Sequence, residues 1–132
     1  MEFQWRPASY ALITKQDEVL LSLWESSIGS FWTLPGGGIE FEEQPRDACI
    51  REVWEETGYN VALTGYLSTT THVIPTEKRV PGQHLPLQIL RILYTADIVS
   101  GRGTRLTAAT VVARCVVFPD VNGVAGTACS LT

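Results

Sequence analysis

Three carboxylates stand close together in the segment Arg51-Glu52-Val53-Trp54-Glu55-Glu56, and a run of glycines, Gly36-Gly37-Gly38, stands upstream of it. On a helix, Glu52, Glu55 and Glu56 fall within about one turn, where their mutual repulsion calls for a cation. An oxygen-only, highly charged donor set suits a hard divalent ion, Mg²⁺ or Mn²⁺. Arg51 could orient one carboxylate through a bidentate pair, with Glu43 or Glu55 as the candidate partner. Glycines allow close backbone approach, so a carbonyl such as that of Gly36 could reach the same ion. Taken alone, a glutamate-rich helix is also what a plain solvated face looks like.

The elements around this segment are well signed. From Glu43 to Thr57 the residues Ile50, Val53, Trp54 and Thr57 recur at helical spacing, with the glutamates on a different face. Pro45 suits a first helical turn, and Gly58 suits the left-handed residue just past a helix end. Two apolar stretches, 8–13 and 19–24, flank the polar break Lys15-Gln16-Asp17-Glu18 and predict a hairpin. Stretches 61–71, 87–99 and 110–118 are rich in β-branched residues and read as strands. The proline-punctuated segment from Pro75 to Pro86 is too long for a tight hairpin turn.

The spacing of the charged segment resembles the Nudix box, G-x5-E-x7-R-E-U-x-E-E-x-G-U, where U is a bulky apolar residue. Gly37, Glu43, Arg51, Glu52, Val53, Glu55, Glu56 and Gly58 match in register, and Tyr59 departs mildly at the last position. Chance would produce this set of identities on the order of once in a million sequences. The resemblance implies an α/β (α+β) fold, a Nudix-type mixed β-sheet sandwiched between helices, over roughly residues 5 to 100. It also implies a hydrolase that cleaves a nucleoside diphosphate linked to another moiety X, releasing a nucleoside monophosphate and phosphorylated X. By position, Glu52, Glu55 and Glu56 with a Gly36 or Gly37 backbone contact would hold Mg²⁺ or Mn²⁺, while Arg51 and Glu43 would hold the loop together. Glu52 or Glu55 could take the proton of an attacking water. The substrate stays open among a nucleoside triphosphate, an ADP-ribose-like compound and a dinucleotide. The competing reading is a catalytically weak or inactive domain that senses a nucleotide.

Other residues carry two readings each. Lys78, Arg79 and Arg91 could meet substrate phosphates or serve as solubility charges. Pro75, 16 residues beyond Tyr59, is similar to a proline that marks the ADP-ribose-cleaving branch, though Pro81 and Pro86 share its loop. His72 and His84 could contact substrate or stand by. Phe31 and Trp32 could stack on a base or pack in the core. Cys49 reads as a small core residue rather than a nucleophile.

The whole chain bounds these readings. Its 132 residues predict one domain over 1–132. The net charge of -4 leaves no basic footprint for nucleic acid, and no apolar run approaches the ~20 residues that cross a bilayer. With no secretory pattern at Met1 to Pro7 and three scattered cysteines, Cys49, Cys115 and Cys129, the sequence reads as a cytoplasmic protein with reduced thiols. Residues 101–132 depart from the family's pattern, since Asp120 is their single acidic residue. A replaced or frame-shifted tail would account for this, and the sheet edge it left exposed could be covered by a second copy in a homodimer.

Overall fold

Strand β1 (Gln4–Lys15) organises the molecule, because alternate side chains of one strand face opposite ways and both of its faces are covered. Ala11 and Ile13 enter one apolar cluster with Leu20, Cys49, Val53, Val61, Tyr94 and Ala96. Ala8 enters a second with Leu87, Ile89, Tyr10 and Ile74, and Leu12 packs in a third with Val19, Leu21, Trp32 and Leu34. The structure is a computed structural model that describes residues 1–15, 18–26, 29–101, 110–119 and 125–130. For 24–26, 29–31, 110–119 and 125–130 it describes the backbone alone.

After β1 come β2 (Glu18–Ser26), β3 (Gly29–Thr33), β4 (Gly36–Gly38), α1 (Pro45–Thr57), β5 (Tyr59–Ile74), β6 (Leu87–Gly101), β7 (Thr110–Pro119) and β8 (Ala125–Ser130). The sheet runs β5-β6-β1-β2-β7-β8, with β3 paired to β2 and β4 paired to β1. The β1–β6 pair is parallel, from Gln4 opposite Leu87 to Ile13 opposite Ala96, and the other pairs are antiparallel. This is the mixed sheet expected, and the hairpin closes where Thr14 meets Val19 and Lys15 meets Glu18. Of the helices expected on both sides, α1 is the one α-helix among the described residues, and none of those residues forms a helix long and apolar enough to cross a membrane.

The helix ends as its sequence signals require. Pro45 opens α1, and Gly58 closes it in the left-handed region at φ 81°, donating its N–H to the Trp54 carbonyl at 2.9 Å. Its buried line is Ala48, Cys49, Val53 and Thr57. Trp54, expected on that line, is 41% exposed instead. One residue past Val53 is a rotation of about 100°, so a helix that seats Cys49, Val53 and Thr57 on the sheet must turn Trp54 outward. Buried Thr57 is satisfied locally, its Oγ1 donating to the Val53 carbonyl at 2.6 Å and accepting the Tyr59 N–H.

The Pro75 to Pro86 segment joins antiparallel β5 and β6 through a single 3₁₀ turn, Thr76–Lys78. In the tail the described backbone forms β7 and β8, with β8 at the end of the strand order. The segments 102–109, 120–124 and 131–132, with Asp120 among them, lie outside the described residues.

Candidate active site

Strand β4 is built from three glycines, and their roles differ by face. An ideal Cβ on Gly37 would lie 2.7 Å from Cδ and Oε2 of Glu52, whereas one on Gly38 would lie 2.9 Å from Nη2 of Arg6. A Cβ on Gly36, whose φ is +154°, would strike the Ser9 carbonyl and Tyr10 Cα. No other residue type fits this strand without moving a neighbour. Gly37 lies opposite Ser9 in the β1 ladder, so the polar groups of Gly36 and Gly38 point to the outer edge of β4. There the Gly36 N–H donates to Glu56 Oε2 at 3.0 Å, and the Gly38 carbonyl accepts from Arg51 Nη2 at 3.0 Å. The Gly36 carbonyl leaves the strand on the same edge.

Arg51 ties this edge to the helix. Its Nε and Nη2 donate to the two oxygens of Glu43 at 2.7 and 2.8 Å, the bidentate pair that the sequence left open between Glu43 and Glu55. Its Nη1 reaches Glu52 Oε1 at 2.9 Å and Glu55 Oε2 at 3.1 Å. The Arg51 bonds, helped by the Glu40 N–H, hold the Glu43 carboxyl down at about 2. Reciprocally, Glu43 and then Glu52 push the guanidinium up, so it stays charged. Between these anchors the chain turns at Glu42, a non-glycine residue at φ 64°.

Glu56 behaves differently from its neighbours. It turns toward β2, where the buried Ser22 Oγ donates to its Oε2 at 3.1 Å. Burial pushes its carboxyl up to about 7; the Gly36 and Ser22 hydrogen bonds oppose that rise, and the charges of Glu52 and Glu55 add to it.

Among the described residues no three acidic, His or Cys side chains are already gathered as a metal cage. The donors nevertheless fit a divalent cation. All are hard oxygens, the repulsion of Glu56 by Glu52 and Glu55 is a charge excess that a cation removes, and Arg51 Nη1 already puts positive charge between Glu52 and Glu55.

The substrate-binding candidates separate. Arg79 is engaged, its Nη1 donating to Gln4 Oε1 and to the Leu85 carbonyl, both at 2.7 Å, so it latches its loop to β1. Lys78 stands exposed on the 3₁₀ turn. Arg91, on β6, lies opposite Ala8 of β1. Trp32 packs in the core, whereas the Phe31 side chain lies outside the described atoms. Cys49 is fully buried, with its thiol pushed up to about 12 by that burial, as suits a core residue. Sequence reasoning missed Ser22 and Arg6. Neither belongs to the box spacing, and the available signal was the alternation of β1, which puts Arg6 on the face of Ala8 and Tyr10.

The chain is similar to a MutT-like protein of Streptomyces ambofaciens, 41% identical over 66 residues that make up 48% of this chain and 42% of that protein. It is 38% identical over 64 residues to an RNA pyrophosphohydrolase of Roseobacter denitrificans, covering 48% of this chain and 40% of that one. The chain thus spans less than half the length of these curated relatives. A solved NUDIX hydrolase from Nitrosomonas europaea shares the fold at TM-score 0.65 and 22% identity, over 80% of this chain and 70% of that one. The NUDIX domain family model matches residues 4–115, and the chain belongs to the Nudix family.

Proposed function

We propose that this chain hydrolyses the pyrophosphate linkage of a nucleoside diphosphate joined to a moiety X, giving a nucleoside monophosphate and phosphorylated X. The observation that carries the reading is the Arg51 guanidinium, which locks Glu43 and the Gly38 carbonyl and so fixes the helix that bears Glu52, Glu55 and Glu56 against β4. That arrangement holds the carboxylates at the outer edge of β4, where a diphosphate can reach them.

Glu52, Glu55, Glu56 and the Gly36 carbonyl would hold the cation, Mg²⁺ or Mn²⁺; when bound, it supplies charge neutralisation at phosphate oxygens and a more acidic water. The chain's own groups do the rest. Glu52 or Glu55, on the rim, takes the proton of the attacking water, and the Arg51–Glu43 fork keeps both carboxylates in place. Glu56, held by Ser22 and Gly36, anchors the helix against β2 and β4. The substrate is a small nucleotide met in the cytoplasm, and the β8 edge is where a second copy would join a homodimer.

The test is phosphate release from nucleoside triphosphates, ADP-ribose, dinucleotides and nucleotide sugars with Mg²⁺, Mn²⁺ or EDTA, beside a Glu55→Gln/Glu56→Gln variant. Metal-dependent turnover lost in that variant is the expected result. One observation favours a second reading, a nucleotide-sensing module: Arg51 itself occupies Glu52 and Glu55. Nucleotide binding by a well-folded sample with no turnover on any substrate would establish that reading instead.

A further inference from the structure

The three glycines of β4 face two different chemistries, since the carboxylate of Glu52 borders Gly37 and the guanidinium of Arg6 borders Gly38. Arg91 lies on the same face of the sheet as Arg6. Strands β1 and β6 are parallel neighbours with Ala8 opposite Arg91, so Arg6, Ala8 and Arg91 share the face of the sheet that also carries Tyr10. The Tyr10 hydroxyl senses all the parties: burial raises it, the positive charges of Arg6 and Arg91 lower it, and Glu56 and Glu52 raise it.

Among the described residues neither arginine has an ion-pair partner. The ion pairs among the described residues all belong to Arg51, and Arg91 Nε is buried with no hydrogen-bond partner. Leaving a buried donor of a charged group unpaired is costly, and such a group is normally met by an acceptor. The acceptor that suits two adjacent guanidinium groups is an oxyanion with several oxygens, which is what a phosphate presents.

We infer that Arg6 and Arg91, on the face of the sheet that carries Tyr10, form a phosphate subsite beside Gly38 that holds a phosphate of the substrate next to the linkage being cleaved. This deepens the hydrolase reading and rests on it for the word substrate. It selects a polyphosphate chain: a nucleoside triphosphate has a further phosphate to place there, whereas a compound with a bare sugar as X has none. Glycine at position 38 is part of the subsite, because any side chain would push Arg6 off the strand edge.

The probe is inorganic tripolyphosphate, titrated calorimetrically into the full 132-residue chain in EDTA at low salt, so that binding is read without metal and without turnover. Wild type, Arg6→Gln, Arg91→Gln, Arg91→Lys and Lys15→Gln are compared, each checked for an unchanged thermal transition. Tripolyphosphate should bind wild type, weaken about tenfold or more in Arg6→Gln and Arg91→Gln, weaken less in Arg91→Lys, and be unaffected by Lys15→Gln at the far end of β1. Because Arg6 is exposed, its variant reads the subsite even if Arg91→Gln does not fold. With metal present, the same two Gln variants should raise KM for a nucleoside triphosphate about tenfold and leave kcat within about twofold. No binding to wild type, equal binding to wild type and Arg6→Gln, or an equal loss in Lys15→Gln overturns the inference. Binding that depends on Arg6 in a protein with no turnover on any nucleotide would refute the hydrolase reading and leave the subsite standing.

Discussion

Replacing Gly37 by alanine separates catalysis from stability. The added methyl would lie 2.7 Å from Glu52 Cδ and Oε2, against about 3.4 Å for an ordinary contact, so the carboxylate must retreat by about 0.7 Å. Its Oε1 sits 2.9 Å from Arg51 Nη1, and a retreat of that size is enough to carry this bond past the hydrogen-bond limit. Misplacing a reacting group by about 1 Å costs on the order of 100-fold in rate. The backbone pays little, because Gly37 is outside the left-handed region and the atoms displaced are the free end of a flexible side chain. A glycine-to-alanine change also restricts the unfolded chain, a gain of about 0.4–1 kcal/mol that offsets part of any crowding. Stability should therefore stay within about 1 kcal/mol of wild type while kcat falls between about 10- and 100-fold. Urea unfolding followed by tryptophan fluorescence gives the first quantity, and initial rates on the best nucleoside triphosphate give the second. Wild-type kcat in a folded Gly37→Ala protein would refute the reasoning, because Glu52 would then be free to move without consequence. The neighbouring change Gly38→Ala displaces Arg6 rather than Glu52, and should raise KM with kcat preserved.

Gly36→Ala should behave in the opposite sense to Gly37→Ala. Its methyl meets backbone atoms of Ser9 and Tyr10 at φ +154°, so a loss of about 3 kcal/mol or more is expected in the urea midpoint. Val53→Ala, at a fully buried position between α1 and the sheet, should cost about 2–3 kcal/mol by the same assay. Glu43 gives the pH dependence. Its folded carboxyl is held at about 2, below its unfolded value, so its contribution to stability is complete above about pH 4.3 and is lost as pH falls toward 2. Acid unfolding curves should show that loss in wild type and a flatter slope between about pH 4 and 2 in Glu43→Gln. Native-state thiol labelling with a maleimide should give the same count in wild type and Cys49→Ala, because the Cys49 thiol is fully buried and pushed up to about 12.

The parts of the site that were legible in the sequence are those written in local spacing. Pro45, Gly58 and the Glu43-to-Glu56 register fixed a helix and its charges within a few turns, where neighbours in sequence are neighbours in space. The orientation of that helix was not local: Ile50, Val53, Trp54 and Thr57 fit an apolar stripe equally well, and only the sheet decides that Cys49 lies under it and Trp54 does not. Strand β4 escaped for a related reason, since three glycines carry no alternation and their pairing is set by β1. Ser22, Arg6 and Arg91 come from strands whose registers the sequence does not state, so their approach to the carboxylates and to Tyr10 could not be read from spacing.

The parallel alliance of β1 with β6 has a consequence for how the protein is made. Gln4 finds its partner at Leu87 and Ile13 finds its partner at Ala96, so β1 has to wait until β6 has been made. By the time the ribosome has delivered every glutamate of the box, β1 can already pair with the glycine strand, but its other edge is bare. Closing so large a loop is slow relative to forming hairpins and helices. During that delay an open strand carrying Ala8, Tyr10 and Leu12 is exposed to other chains, so the interval between residues 59 and 96 is a stage open to edge-to-edge association.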